Sequence, residues 1–504
     1  MAASLLASVL LLAACSSDGD DEGFIDSLLS SSSTTSSTTS STTNDTATRG
    51  SIDWEDCGGG FQCGALTVPL DHEVPDGDTI SIALIRLPAG DPDERIGSLL
   101  VNPGGPGASG VDLAVQSEDV FGAEVLDHFD IVGFDPRGVG SSTPVECPFD
   151  LDRLFALDTT PDDDDELAEL RSVSKEYADS CAEASGSLLE YVSTLDVAQD
   201  MDLIREALGE EQISYVGFSY GTYLGALYAE LFPERVRAFV LDGAVDPTLS
   251  DEEGAVQQSL GFEMQFEEFL DWCAGDSSCR FNSDGDPETA YDDLMREIDN
   301  EGIESSDGRV LGPGEADIAV VTALYNGERG FTVLGDALDA AEDGNADPLT
   351  ILFDSYVGRD GFGSYDGSQA AFQAIGCVDG TSTTTPEEHD DLAARVGEAA
   401  PRFGESGVNL GYPCVYWAAP PDGWEGPVHA SGAPPILVIG TRGDPATPKE
   451  WAESLAEQLE SGVLLRLDAR GHLAYGLGHS CIDSAVDDYL IDLTVPDDGM
   501  TCDP

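Results

Sequence analysis

Lysine is almost absent from this chain, and basic residues are scarce altogether. The 504 residues include 21 Lys and Arg against 98 Asp and Glu, and the only lysines are Lys175 and Lys449. The formal charge of −77 repels a polyphosphate backbone, which argues against nucleic acid as a partner. Such an acidic surface would suit a protein that stays soluble in concentrated salt, where screening shortens the range of self-repulsion. We treat that habitat as a hypothesis.

Long apolar runs are missing beyond the first residues. No later segment approaches the roughly 18 consecutive apolar residues that a membrane span needs. Hydrophobic residues nevertheless make up 41% of the chain, which is enough for a sizeable buried core. The composition therefore excludes global disorder and a fibrous chain.

The amino-terminal residues are typical of an export signal. A mostly apolar run at 5–12 is followed by Ala-Ala and then Cys15, which resembles a bacterial lipobox although no Lys or Arg precedes it. The resemblance implies a signal peptide at 1–14 and lipid attachment to Cys15, with an ordinary cleaved signal peptide as the alternative. Residues 15–50, with an unbroken Ser/Thr tract at 30–43, are predicted to form a disordered linker.

Ten cysteines remain once Cys15 is set aside, and an even number in an exported chain favours disulfides. Because the intervals between successive cysteines are short, pairing them in sequence order has the lowest entropic cost of loop closure. A zinc site is not expected, because no histidine stands at ligand spacing beside the short pairs. We therefore predict neither a metal nor a cofactor. The expected disulfides are Cys57 with Cys63, Cys147 with Cys181, Cys273 with Cys279, Cys377 with Cys414, and Cys481 with Cys502.

Apolar β-rich runs alternate with turn signals and amphipathic helical stretches, a pattern typical of an α/β fold. Between about residues 248 and 424 helical stretches such as 262–272 replace this alternation, and the segment is predicted to be an insertion that caps the sheet. Strands are predicted at 98–102, 130–134, 214–217, 236–242, 435–440 and 463–468.

A candidate nucleophile lies in the pentapeptide GFSYG, which spans Gly217 to Gly221 between a predicted strand and an apolar helix. In a nucleophile elbow the flanking glycines remove side chains that would collide in the tight turn, so the serine hydroxyl stands exposed above the sheet. Because this pentapeptide also arises by chance, the strand-turn-helix setting is what identifies Ser219. The alternative is a glycine-rich turn.

The serine needs a base and an orienting carboxylate, in the chain order Ser, Asp or Glu, His. His472 follows the last predicted strand through a short loop and is the expected base, with His479 as the competitor. Asp444 follows the preceding strand and is the expected acid, the alternative being a turn aspartate before proline. Thr447 is placed to hydrogen-bond the Asp444 carboxylate, although a plain turn threonine fits almost as well.

An oxyanion hole requires backbone N–H donors aimed at the developing charge. One expected donor is the amide of Tyr220, directly after the nucleophile. The second is expected in the loop NPGGPG at 102–107, which follows the strand at 98–102. This loop lacks the Lys-Ser/Thr ending of a phosphate-binding P-loop.

Several segments resemble the secreted tripeptidyl and prolyl aminopeptidases of actinobacteria, which are α/β-hydrolases with a cap domain. They are NPGGPGASG at 102–110, DPRGVG at 135–140, the stretch 217–247, and the segments 54–71 and 414–417. The resemblance is dense in these segments and thin in the cap. It implies a serine exopeptidase that removes tripeptides or other short units from free amino termini.

Position by position, the resemblance implies Ser219, Asp444 and His472 as the catalytic triad, with Gly105 and Tyr220 as oxyanion donors. The choice of Gly105 over Gly104 rests on no residue-level argument. The DPRGVG loop is expected below the active site, where Asp135 and Arg137 take part in a structural ion pair rather than in catalysis.

The domain organisation that follows is an α/β-hydrolase core, a mostly parallel sheet flanked by helices, at 51–247 and 425–504. A largely helical cap at 248–424 is inserted before the strand that precedes the acid. An exopeptidase must also bind a free ammonium, which requires carboxylates facing Ser219. The candidates for this role are Glu263, Glu267, Glu268 and Asp379.

The expected partners are peptide substrates, and the membrane is contacted only through the lipid anchor. Nothing in the sequence fixes the oligomeric state, and a monomer is favoured. Two other functions stay open: a secreted carboxylesterase or lipase that uses the same triad, and a catalytically idle binding protein. A calcium site at 162–166 is not favoured, because this acidic run lacks the glycine turn and ligand spacing of a calcium loop.

Overall fold

The computed structural model describes residues 50–380 and 385–504. The predicted signal peptide, Cys15 and most of the Ser/Thr linker lie outside the described residues. Within the described ranges, no helix combines the length and apolar character that crossing a bilayer would require.

Twelve strands are present among the described residues, ten of them in one sheet with the order β1-β2-β3-β5-β4-β6-β7-β10-β11-β12. Strands β1 to β3 pair antiparallel, as do β3 and β5, and the pairs from β5 across to β12 are parallel. The strands are β1 Glu55–Gly58, β2 Phe61–Pro69, β3 Thr79–Leu87, β4 Gly97–Asn102, β5 Phe129–Phe134, β6 Ile213–Phe218, β7 Val236–Asp242, β8 Ile303–Glu304, β9 Val310–Leu311, β10 Ile436–Gly443, β11 Gly462–Arg470 and β12 Met500–Cys502.

Helices cover both faces of this sheet and form a layer of their own between β7 and β10. The α-helices of the described residues are α1 Gly110–Val115, α2 Ser117–Val120, α3 Ala123–His128, α4 Leu151–Phe155, α5 Asp164–Ser185, α6 Thr194–Leu208, α7 Tyr220–Leu231, α8 Asp251–Gly275, α9 Pro287–Glu301, α10 Pro313–Leu324, α11 Gly327–Glu342, α12 Asp347–Val357, α13 Ser368–Val378, α14 Pro386–Ala399, α15 Gly404–Asn409, α16 Lys449–Gln458 and α17 Ser480–Asp492.

Each of the six predicted strands is confirmed, as β4, β5, β6, β7, β10 and β11. Strands β4, β5 and β6 are buried on both faces, which explains why they read as continuous apolar runs. The antiparallel strands β1 to β3 were not predicted. Strand β2 alternates buried and exposed residues over part of its length, and β1 is largely exposed, so their apolar signal is weaker.

The chain between β7 and β10 forms a helical insertion, residues 243–435, with an apolar core of its own built mainly from α8 to α12. A second segment joins this layer although it lies earlier in the chain. Phe155, in α4, packs edge-on against Phe353 with ring centroids 5.4 Å apart. The Thr159 and Ser406 hydroxyls lie 2.8 Å apart, and Asn409 donates to the Thr159 carbonyl.

The division at residue 247 proposed from sequence therefore does not separate the two layers cleanly. The segment that contains α4 and the start of α5 contributes to the helical layer, although it lies within residues 51–247. Sequence could not show this, because the contact joins residues some 250 positions apart. The signal available locally was only a short amphipathic stretch.

The described residues contain five disulfides, which join the five pairs expected from sequence. Three close loops at the edge or ends of the sheet domain, and two lie within the helical insertion. Disulfides of this number are typical of proteins outside the cytoplasm, where thiols are not kept reduced.

Beneath the carboxyl ends of the strands, Arg137 is completely buried. Its guanidinium makes two bonds of 2.7 and 2.8 Å to the buried Asp200 on α6, and it donates to the carbonyls of Pro69, Leu70 and Tyr191. The structural ion pair expected for Arg137 is thus made with Asp200, a residue that sequence analysis did not identify.

Asp135, the other charged residue of that loop, is also buried but makes no ion pair with Arg137. Its carboxylate accepts hydrogen bonds from the Ser109 hydroxyl, at 2.6 Å, and from the amides of Val111 and Ser141. Asp135 therefore links the residues that follow the loop at 102–107 to the turn after β5.

The acidic run at 162–166 brings the carboxylates of Asp162, Asp163 and Glu166 within 4.8 Å of one another. Two of these carboxylates already accept backbone N–H groups. Asp163 caps α5 by accepting from the Asp165 and Glu166 amides, and Glu166 accepts from the Asp162 amide. The cluster thus serves the start of a helix.

Candidate active site

Ser219 occupies a strained turn between β6 and α7. Its backbone angles, φ 54° and ψ −124°, are rarely adopted by a residue with a side chain. Glycines make the turn possible: a Cβ on Gly217 would lie 2.4 Å from the Gly221 carbonyl, and one on Gly221 would lie 2.8 Å from Asn102 Oδ1. The Ser219 amide donates to the Asp242 carbonyl at 2.8 Å, which fixes the turn to the neighbouring strand.

His472 and Asp444 lie on the loops after β11 and β10, the two strands that pair side by side. His472 Nδ1 is 2.8 and 2.9 Å from the two Asp444 oxygens. The same carboxylate accepts the amides of Ala446 and Thr447, and the Thr447 hydroxyl at 3.0 Å. Asp444 is therefore satisfied on both oxygens and holds the imidazole from a buried position.

Ser219 and His472 line the same cavity, but no hydrogen bond joins the serine hydroxyl to the imidazole in this structure. His472 Nε2 is buried and has no hydrogen-bond partner among the described residues. In enzymes without substrate such bonds are often long and shorten only in the complex. His479, the alternative base, also lines the cavity, whereas the Asp444 carboxylate contacts His472.

The loop after β4 lies directly against the elbow. A Cβ on Gly104 would lie 2.4 Å from the Phe218 carbonyl and 3.1 Å from the Tyr220 amide nitrogen, so only glycine fits there. The Gly104 amide already donates to Asn102 Oδ1 at 2.9 Å. The Gly105 amide has no hydrogen-bond partner among the described residues, which makes Gly105 rather than Gly104 the candidate donor beside Tyr220.

Helix α13 of the helical insertion packs on this loop from above. A Cβ on Gly107 would lie 2.6 Å from the Ser368 carbonyl and 2.8 Å from the Phe372 amide. The insertion therefore covers the loop at 102–107 where Gly107 meets α13.

Two residues that sequence analysis missed position the His472 loop. The His472 amide donates to the Tyr325 carbonyl at 2.9 Å, and the Tyr325 ring stands edge-on to the imidazole at 5.3 Å. Asp242, at the end of β7, accepts the amides of Ala474 and Tyr475 on Oδ2 at 3.0 and 2.8 Å.

Asp242 is fully buried, and its Oδ1 has no hydrogen-bond partner among the described residues. Burial raises the pKa of this carboxyl to about 6, against the opposing effect of the Tyr475 and Ala474 amides and the nearby His472. The available signal was an aspartate at the carboxyl end of a predicted strand, the same signal that identified Asp444.

The cavity at the carboxyl edge of the sheet has a volume of about 340 Å³. Residues from the sheet loops and from the helical insertion both line it, so a ligand would be held between the two layers. The lining residues are Pro103, Val120, Ser219, Tyr325, Asn326, Glu328, Arg329, Arg442, Asp468, Ala469, Arg470, Gly471, His472, Leu473, Tyr475, Gly476, Leu477, His479 and Pro504.

None of the four carboxylates expected to bind a substrate amine lines this cavity, and the structure gives the physical reason for three of them. Glu263 is buried and paired with Arg402 at 2.9 Å. Glu268 pairs with Arg470. Asp379 accepts the amide and hydroxyl of Thr194, and burial raises the pKa of its carboxyl to about 7. The fourth, Glu267, is exposed on α8.

An α/β-hydrolase is defined by this combination of a mostly parallel sheet, a serine on a strand-to-helix elbow, and acid and histidine loops after later strands. The family models agree: residues 97–284 match the alpha/beta hydrolase fold, and residues 400–502 match the TAP-like protein family.

Three curated relatives match nearly the whole chain. The serine protease Hip1 of Mycobacterium tuberculosis is 38% identical over 461 residues, 88% of either chain. Carboxylesterase B of the same organism is 36% identical, covering 88% of this chain and 86% of the relative. The tripeptidyl aminopeptidase of Streptomyces lividans is 31% identical, covering 91% and 88%. The chain belongs to the family of tripeptidyl aminopeptidase-like α/β-hydrolases, and it is a serine hydrolase.

Proposed function

We propose that this protein is a serine exopeptidase that releases tripeptides or other short units from peptides with a free amino terminus. The observation that carries the proposal is the shared cavity: it is lined by Ser219, on its strained elbow, and by His472, whose Nε2 has no hydrogen-bond partner among the described residues. The curated relatives named as a serine protease and as tripeptidyl aminopeptidases support a peptide bond as the target.

In the proposed mechanism His472 takes the proton of Ser219 as the serine oxygen attacks the scissile carbonyl. Asp444, fixed by Thr447 and two amides, keeps the proton on Nδ1 so that Nε2 is free to act as the base. The amides of Gly105 and Tyr220 would stabilise the oxyanion, and one such donor typically contributes about 3 kcal/mol. His472 then protonates the leaving amine, and water hydrolyses the acyl-enzyme.

The helical insertion is proposed to act as a cap that restricts substrates to chain ends. It contributes Tyr325, Asn326, Glu328 and Arg329 to the cavity, and α13 closes the side above the oxyanion loop. A cavity enclosed by two layers favours a short peptide end over the middle of a folded chain. The length of the released unit would then depend on the residues of this insertion.

A matched set of chromogenic substrates tests the proposal at low and high salt: a free tripeptidyl amide, its acetylated form, a single-residue prolyl amide and a simple ester. We expect cleavage of the free tripeptidyl amide, with loss of activity on acetylation. Ser219→Ala should lower kcat by at least about 10⁴-fold, because it removes the nucleophile. Equal cleavage of the acetylated peptide would refute the exopeptidase assignment.

A carboxylesterase is the second candidate, and the relative named carboxylesterase B is the observation that favours it. The same nucleophile and base would serve ester hydrolysis. Turnover of the ester without cleavage of any amide would establish this alternative.

We also propose that the protein is exported and held at the outer face of a membrane by a lipid on Cys15, with residues 15–50 as a spacer. Cell fractionation of the wild type and of Cys15→Ser tests this. We expect the variant in the soluble fraction, and membrane association of both would refute the anchor.

A further inference from the structure

The cavity that contains Ser219 and His472 is lined by more arginines than the acidic composition of the chain predicts. The chain carries 98 acidic and 21 basic residues, yet Arg329, Arg442 and Arg470 all line this one cavity. Its acidic lining residues are Glu328 and Asp468.

Two of the three arginines are neutralised by carboxylates. Arg442 pairs with Asp468 on the neighbouring strand. Arg470 pairs with Glu268 and with Glu328, the latter at 2.6 Å. These pairs involve both acidic side chains of the lining, Glu328 and Asp468, and they leave Arg329 as the lining arginine without a carboxylate partner among the described residues.

Arg329 has no ion pair with any carboxylate of the described residues, which is rare in this chain. The other described arginines in that position are Arg235 and Arg237. Arg237 donates instead to the carbonyls of Leu490 and Ile491. Arg235 is exposed and directly precedes β7, at the opposite end of the sheet from the cavity.

Arg329 is exposed, and the start of the helix that carries it is anchored beside His472. Arg329 is the third residue of α11, which begins at Gly327. That glycine packs against the His472 loop so closely that a Cβ would lie 2.4 Å from the Arg470 carbonyl. Tyr325, two residues before the helix, accepts the His472 amide. The guanidinium is therefore carried by an element anchored beside the base.

We propose that Arg329 binds a carboxylate of the peptide substrate, so that acidic peptides are preferred. This inference rests on the proposed exopeptidase function and names a substrate class for the same cavity. A guanidinium pairs with a carboxylate through two parallel hydrogen bonds, which gives direction as well as charge. The surrounding acidic surface repels anions, so an acidic substrate gains most from the one arginine of the cavity lining that has no ion pair among the described residues.

The carboxylate has two possible sources, a Glu or Asp side chain and the α-carboxylate of a short peptide. One substrate pair compares Glu with Gln in peptides that end in an amide. The other compares a free carboxyl terminus with an amidated one in peptides without acidic side chains. The ratio of kcat/KM within each pair identifies the source.

We expect wild-type enzyme to favour the acidic member of at least one pair by about 10-fold or more, since hydrogen bonds to charged groups are the strong ones. Arg329→Gln should bring that ratio close to one. Arg329→Lys should restore part of the preference, because it keeps the charge and loses the paired geometry.

Arg235→Gln is the matched control, since it removes an unpaired arginine far from the cavity and should leave both ratios unchanged. A wild type without acidic preference, or a preference that survives Arg329→Gln, overturns the inference while the exopeptidase function stands. A wild type that cleaves no peptide at all overturns both.

Discussion

Replacing Asp242 by Asn should stabilise the protein near neutral pH. The pKa of the buried carboxyl is about 6, against 3.8 for the exposed group, because burial disfavours the charged form. A difference of about two pKa units corresponds to about 3 kcal/mol of unfolding free energy. Asn keeps an oxygen for the Ala474 and Tyr475 amides, and its unpaired NH₂ group costs about 1 kcal/mol. The expected gain is therefore about 2 kcal/mol.

The pH dependence identifies the cause. A carboxyl whose pKa is raised on folding stabilises the folded state at pH values below its pKa in the unfolded chain. That stabilisation is lost as the pH rises through its pKa in the folded protein. The advantage of Asp242→Asn should thus be almost full above about pH 6 and should disappear by about pH 3, where the wild-type carboxyl is mostly protonated in both the folded and the unfolded state. Urea unfolding followed by tryptophan fluorescence at both pH values measures it.

Asp200→Asn provides the matched control, because Asp200 is equally buried but paired with Arg137. Its replacement removes the carboxylate that makes both short bonds to the buried Arg137 and leaves only the longer pair with Asp196 at 3.6 Å, so it should cost about 3 kcal/mol at neutral pH, opposite in sign to Asp242→Asn. If Asp242→Asn is less stable than the wild type, or if its gain does not change with pH, the burial argument is wrong.

Three further predictions concern the site and the fold. Thr447→Val removes the hydroxyl that donates to Asp444 Oδ2 and should lower kcat about 10-fold, whereas Thr447→Ser should retain most activity in the same chromogenic assay. Gly104→Ala places a methyl group 2.4 Å from the Phe218 carbonyl and should reduce kcat/KM by about 100-fold. Gly432→Ala is the control, because Gly432 has a similar positive φ but open space around it. This control should lower the free energy of unfolding by about 1 kcal/mol and leave kcat/KM unchanged. Burial raises the pKa of Glu315 and of Asp317 to about 7, so urea unfolding should show stability rising as the pH falls from about 7.5 to about 5.5, and Asp317→Asn should flatten that rise.

The parallel strands and the residues at their carboxyl ends were predictable from sequence, because buried strands read as apolar runs and turn residues mark their ends. Ser219, Asp444 and His472 were identified in this way, and the structure holds His472 against Asp444. Their catalytic roles remain a prediction. The five cysteine pairs were predictable because sequential pairing closes the shortest loops.

The residues that surround the site were not predictable, because their meaning depends on contacts across the fold. In a chain with 98 acids, nothing local distinguishes Asp200 from a solvated surface carboxylate, and the position of Asp242 at the end of a predicted strand does not show what it binds. The same excess of acids made Glu263, Glu267, Glu268 and Asp379 look like amine ligands, although none lines the cavity. Arg329 is recognised as an unpaired arginine of the cavity only once the ion pairs of the other arginines are known.

The interlocking of the α4 segment with the helical insertion limits how these enzymes can exchange parts. Removing residues 243–435, or replacing them with the corresponding region of a relative, would leave Phe155 without Phe353 and Thr159 without Ser406 and Asn409. Crossover points for chimeras should therefore flank both the α4 segment and the helical insertion, so that the two are exchanged together. A graft that carries residues 135–191 together with the insertion keeps the shared core intact, whereas one cut at the ends of β7 and β10 alone divides it.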